Sequence, residues 1–112
     1  MIMRKNKSGI SDLGYYAVHY TDISKHNTLI YLLRKVSEFT GITVDNITSK
    51  SQKRELVDAR FLFFRAAKER TRESLKEIGG IVGRDYADVI HGIRQTKDVA
   101  ELKNLYENLN KI

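Results

Sequence analysis

The sequence predicts an all-α fold, a compact helical domain containing a helix-turn-helix. Three observations lead there. Proline is absent from all 112 residues, strand-like alternation is scarce, and apolar residues recur at three- and four-residue steps from about residue 24 onward, the period of an amphipathic helix. A chain of this length supports one modest core and one domain. Residues 24–112 are expected to form it. Residues 1–23, with Gly9, Gly14 and the stretch YYAVHY at 15–20, form an N-terminal arm that the pattern leaves unassigned between a strand-like segment and a turn of helix.

Each helix has its own signal. Ser24 is placed as the N-cap of a helix over about 25–40, whose buried stripe is Leu29, Ile30, Leu32, Leu33, Val36 and Phe39, with Gly41 as the left-handed stop. Thr43 caps a single turn that turns Val44 and Ile47 inward, before a polar stretch from Ser49 to Lys53. The longest helix runs from about Lys53 to Arg70 and offers Leu56, Val57, Phe61, Phe63, Phe64 and Ala67 to the core. Ser74 and Glu77 have the spacing of a capping box and open a short helix, Leu75 to Val82, with Ile78 and Ile81 inward. Gly83 then breaks the chain, and Asp85 caps a helix over about 86–95, with Asp88 in its first turn near the positive end of the helix dipole. Two capped helices around a glycine turn, at 74–95, read as a helix-turn-helix. Thr96 or Asp98 opens a last helix, closed onto the core by Val99, Leu102, Leu105, Tyr106 and Leu109.

Charge narrows the partner. Lys plus Arg number 20 against 14 acids, a net +6 and a pI near 9.6, which favours a polyanion. Between residues 50 and 72 stand Lys50, Lys53, Arg54, Arg60, Arg65, Lys68, Arg70 and Arg72 against Glu55, Asp58 and Glu69, so this segment carries +5 of the +6. Basic residues directly before a helix-turn-helix sit where phosphate contacts seat the second helix in a groove. The competing reading is a solvated helix face of local ion pairs. No apolar run approaches the roughly 18 residues of a membrane span, and MIMRKNKSGISD lacks the apolar core of a signal peptide; the expectation is a soluble cytoplasmic protein with no membrane partner. Cysteine is absent, and His19, His26 and His91 lack ligand spacing, so no metal or other cofactor is expected. No G-x-x-x-x-G-K-[ST] occurs, nor a carboxylate pair or a nucleophile with a base, and neither an enzyme nor a small-molecule substrate is expected.

Residues 42–95 resemble the C-terminal DNA-binding domain of the bacterial chromosomal replication initiator DnaA. SKSQKRELVDAR is similar to that family's basic loop, SLKEIG to its SLPEIG, and GRDYADVIHGI to its GRDHTTVLHA signature, in the same order and with one glycine fewer before Arg84. The resemblance implies a Trp-repressor-like fold, as a stand-alone copy of the domain, with the basic loop at a minor groove and the signature helix in the adjacent major groove. Arg60, Lys68, Leu75 and Asp85 fall where the family has the same residue in DNA-contacting roles. Gln52 stands at the family's minor-groove arginine, and Tyr86, Ala87 and Asp88 replace its base-reading His-Thr-Thr.

The expected DNA-facing set is therefore Lys50, Gln52, Lys53, Arg54, Arg60, Lys68, Leu75 and Lys76, with Arg84, Asp85, Tyr86, Ala87 and Asp88 toward the major groove. Its partner is double-stranded DNA, in replication control or transcription. The alternative is a protein-interaction module that keeps the fold without reading a duplex, with replication proteins as partners. Individual residues carry two readings each. Asp88 either supports its helix terminus or accepts from a cytosine amino group. Tyr86 either packs beside Ile90 and Ile93 or touches a thymine methyl or a phosphate. His91 reads as packed rather than catalytic, and the run Phe61, Phe63, Phe64 as core rather than a base-stacking platform.

Overall fold

The computed structural model describes residues 20–111, with side chains from residue 28. All regular secondary structure among the described residues is helical: α1 (Tyr20–Thr40), α2 (Val44–Ile47), α3 (Arg54–Arg70), α4 (Leu75–Ile81), α5 (Tyr86–Asp98) and α6 (Ala100–Asn110). This is the all-α architecture that the periodicity predicts. No helix among them is long and apolar enough to cross a membrane.

Helix α3 is the axis. It packs against every other helix, and its two sides both lose water: Leu56, Ala59, Leu62, Phe63, Phe64, Ala66 and Ala67 are buried. A helix apolar on most of its circumference has to be surrounded. From α1 come Leu29, Leu32, Leu33 and Val36, from α2 Ile47, from the α4–α5 region Ile78, Val82 and Val89, and from α6 Leu102, Tyr106 and Leu109. Phe39, Val44, Phe61, Ile81 and Ile93 are half-buried around this core.

The local stop and start signals act as their chemistry demands. Gly41 has φ +76°, ending α1, and the Thr43 hydroxyl accepts from the Asn46 amide. Ser74 Oγ accepts from the Glu77 amide while Glu77 Oε1 accepts from the Ser74 amide, a closed capping box. Asp85 Oδ1 accepts from the Asp88 amide at 3.0 Å. Each satisfies an amide that a helix start leaves without an intrahelical partner.

Two boundaries differ from expectation. Helix α1 covers Tyr20–Thr40, so Ser24 lies inside it rather than capping it; no glycine or proline between 20 and 24 interrupts a helix there. Of the N-terminal arm, only residues 20–23 are described, as part of α1, and the rest of the arm lies outside the described residues. At the other end neither Thr96 nor Asp98 opens the last helix. Both belong to α5, and the break falls at Val99, in extended backbone with φ −94° and ψ 116°. The reason is tertiary. Arg65 Nη1 donates to the Thr96 carbonyl, an acceptor that a continuous helix would use for residue 100.

The same arginine ties down α6. Its guanidinium lies 4.2 Å over the Tyr106 ring, its Nε donates to Glu69 Oε2 at 3.1 Å, and the Tyr106 hydroxyl donates to Glu69 Oε1 at 2.7 Å. Burial raises the Glu69 pKa, but the hydrogen bonds from Tyr106 and Arg65 together with the charges of Arg65 and Lys97 outweigh it, and the net shift is downward. Burial, then the Glu69 hydrogen bond, pushes the Tyr106 phenol up to about 12. Between pH 10 and 12 the unfolded chain releases this proton while the folded chain keeps it, so stability falls as pH rises through that window. We expect about 2 kcal/mol to be lost there in wild type and the loss to be largely absent in Tyr106→Phe. Urea unfolding at pH 9 and pH 12 checks it.

Candidate nucleic-acid interface

The helix-turn-helix is held shut by a near approach of backbones. The Arg84 amide donates to the Gly79 carbonyl at 2.8 Å, and a β-carbon on Gly79 would stand 2.5 Å from the Arg84 carbonyl oxygen. Only glycine lets α4 come this close to the strand of chain entering α5. Gly83, at φ +72°, then supplies the left-handed turn.

Behind the tip of α5, the other support is α3. A β-carbon on Gly92 would lie 2.6 Å from Phe61 Cδ1 and 2.7 Å from Phe64 Cδ2, so the two rings occupy the space that any side chain there would need. Val89, Gly92 and Thr96 form the buried side of α5. Tyr86, Ala87, Asp88, Ile90, His91 and Arg94 are exposed, with Tyr86 at 59 % and Ile90 at 36 % of full exposure. Tyr86 thus packs little. The Asp88 carboxylate is also free of any hydrogen bond or ion pair among the described residues, while its backbone amide takes the cap from Asp85.

The basic loop before α3 is latched to this tip. Arg60 is 2 % exposed; its Nε donates to the Ile47 carbonyl at 2.6 Å and its Nη2 to the Ser49 carbonyl at 2.8 Å. Arg84 Nη2 donates to the same Ser49 carbonyl at 3.0 Å, and its Nη1 to the Val82 carbonyl. Two guanidiniums from the two halves of the interface converge on one oxygen. Burial, then the Arg84 charge, pulls the Arg60 pKa below the usual arginine range. Neither arginine has a carboxylate within ion-pair distance among the described residues.

The latch places Gln52 beside Arg84, Asp88 and His91 along one cleft, floored by Val57, Phe61 and Phe64. The His91 ring stands edge-on to Phe61 at 5.6 Å. Lys50, Gln52 and Lys53 are exposed on the loop, as are Lys68 on α3 and Lys76 on α4; Leu75 is half-buried. Arg54 is exposed too, but it is within reach of Asp58 at 3.7 Å and Glu101 at 3.9 Å. Such exposed pairs are weak, yet they point Arg54 toward α6. Arg60, expected among the cations facing phosphate, is almost wholly buried, lines the same cleft and holds the loop from beneath. Among the described residues no group of His, Cys, Asp or Glu is arranged to hold a metal.

Sequence comparison agrees with this geometry. The sequence model of the bacterial dnaA protein helix-turn-helix matches residues 30–96. The chain belongs to that DnaA helix-turn-helix family. Curated relatives are the chromosomal replication initiator proteins DnaA of Thermus thermophilus, 35% identical over 71 residues, of a Wolbachia species, 36% over 72 residues, and of Flavobacterium psychrophilum, 28% over 95 residues. These matches cover 62%, 63% and 80% of this chain but only 16%, 16% and 20% of the relatives. The chain therefore spans about a fifth or less of the DnaA proteins it matches. The matched segment runs through the DnaA helix-turn-helix, from within α1 to Thr96 of α5, and so contains both the loop and the tip.

Proposed function

We propose that the chain is a non-catalytic module that binds double-stranded DNA, with α5 in a major groove and the loop at Lys50–Lys53 against the adjoining backbone or minor groove, acting in replication control or transcription in the cytoplasm. The observation that carries this reading is the shared Ser49 carbonyl: Arg60 and Arg84 fix the cationic loop beside the exposed tip of α5. Cations and a protruding helix end are then presented together, as seating a helix in a groove requires. Asp85 does not oppose this, because its carboxylate is engaged by the Asp88 amide.

The reading head differs chemically from the family's His-Thr-Thr. Tyr86 and Ala87 offer apolar and aromatic surface suited to a thymine methyl, and the unengaged Asp88 carboxylate suits a cytosine amino group. Selection of duplexes from a random pool at two salt concentrations tests the proposal. With roughly four phosphates neutralised, log affinity should fall with log salt at a slope near −3.6; retention that ignores salt refutes the reading. An enriched motif with C and T opposite the tip is the expected sequence outcome.

The exposure of Tyr86 and Ile90 also favours a second reading, a protein-interaction module whose partner, such as a replication protein, covers that apolar tip. Substituting both with serine separates the two. Sequence-independent DNA binding survives it under the first reading, and partner binding is lost under the second.

A further inference from the structure

The DNA reading, on which this inference rests, places Lys50 and Lys53 on the loop side of α5 and only Lys68 on its other flank. Around Lys68 and Leu75, which the family resemblance already assigns to DNA, that other side carries a groove whose remaining residues, Ile90, Ile93, Arg94 and Lys97, neither the resemblance nor the loop accounts for. It lies where α3, α4 and α5 meet: Leu75, Ile90 and Ile93 form its floor, and Lys68, Arg94 and Lys97 its rim. We infer that this groove is a second seat for the sugar-phosphate backbone, with Arg94 and Lys97 as DNA-anchoring residues.

The chemistry matches a deoxyribose-phosphate chain on both counts. An apolar floor suits the carbon faces of the sugars, and three cations at its edge suit the phosphates. The cations are also available. The ion pairs among the described residues involve Arg54 and Arg65 only, and Lys68 and Arg94 are exposed. Lys97 stands near Glu69 and lowers its pKa, but it is the least of the causes. The two Glu69 oxygens are already engaged by Tyr106 and by Arg65.

Position on the helix supplies the second argument. With 3.6 residues per turn, Ile90, Arg94 and Lys97 line the flank of α5 toward Lys68, whereas Asp88, His91 and Gln95 line the flank toward Gln52. A major groove is about 12 Å wide and just admits a helix with its side chains, leaving one phosphate backbone along each flank. The loop cations serve one backbone. Lys68, Arg94 and Lys97 serve the other, and a helix so held on both sides is fixed in depth and tilt.

The test is the salt dependence of binding by Arg94→Gln/Lys97→Gln on a short mixed-sequence duplex. Loss of two phosphate contacts should flatten the log–log slope by about 1.8, which is roughly a 60-fold loss of affinity near 0.1 M salt. The melting temperature should stay at the wild-type value, since both side chains are exposed, and Arg94→Lys/Lys97→Arg should restore both slope and affinity. A wild type that binds DNA and a double variant with unaltered slope would overturn this groove while leaving the DNA reading intact. Weaker binding at an unaltered slope would also overturn it, because the residues would then act without neutralising phosphate. A wild type that binds no duplex at any salt would overturn the DNA reading itself.

Discussion

Arg60→Met is expected to destabilise the DNA-free protein by about 3 kcal/mol, lowering its Tm by roughly 12–24 °C. Methionine fills much of the same volume but donates nothing. The Ile47 carbonyl loses its donor, and the Ser49 carbonyl keeps only that from Arg84. A buried acceptor left without a partner costs about 1–3 kcal/mol, while the methionine recovers part of this by not burying a charge. Arg60→Lys should fall in between, because an ammonium at the end of a flexible stem does not reproduce the planar fork that spans two carbonyls. Calorimetry without DNA is the decisive measurement. If Arg60 touched phosphate directly and did nothing else, its removal would leave that melting curve unmoved.

The second large effect concerns the loop itself. Lys50→Glu/Lys53→Glu is expected to weaken duplex binding by roughly 60-fold near 0.1 M salt from lost counterion release alone, and by more from repulsion between the new carboxylates and phosphate. Both lysines are exposed, and neither supports the core. The variant should therefore melt like wild type and lose affinity most at low salt, as a titration across salt concentrations would show. Binding that is equally strong in this variant would remove the loop from the interface and favour the protein-partner reading. The pairing of the two experiments is informative: Arg60 acts on fold first and DNA second, the lysines on DNA alone.

The capped ends of the helix-turn-helix were legible because they depend on chemistry a few residues wide. Ser74 with Glu77, Asp85 before its helix, and a glycine at 83 each supply a missing hydrogen bond or a permitted φ, and nothing distant competes with them. Arg60 was not legible as a buried residue. In the run from 50 to 72 it is one basic residue among eight, and only the carbonyls of residues 47 and 49, arriving from another element, give its guanidinium a place inside. The same holds for the end of α5. Thr96 and Asp98 are plausible caps by type, but Arg65, from α3 and more than seven turns of sequence away, claims the Thr96 carbonyl and moves the break to Val99. The roles of Gly79 and Gly92 were hidden for a related reason. A missing side chain announces only freedom; what it makes room for, a carbonyl in one case and two rings in the other, is known once the partner has come near.

The meeting of Gly92 with Phe61 and Phe64 has a consequence for how such a domain diversifies. Because the shaft of α5 is keyed into α3 two turns behind its exposed end, the residues at 86–88 bear none of the weight of its mounting. They form an interchangeable bit in a fixed chuck, and a lineage can exchange one set of recognition chemistries for another there without retooling the machine that holds it.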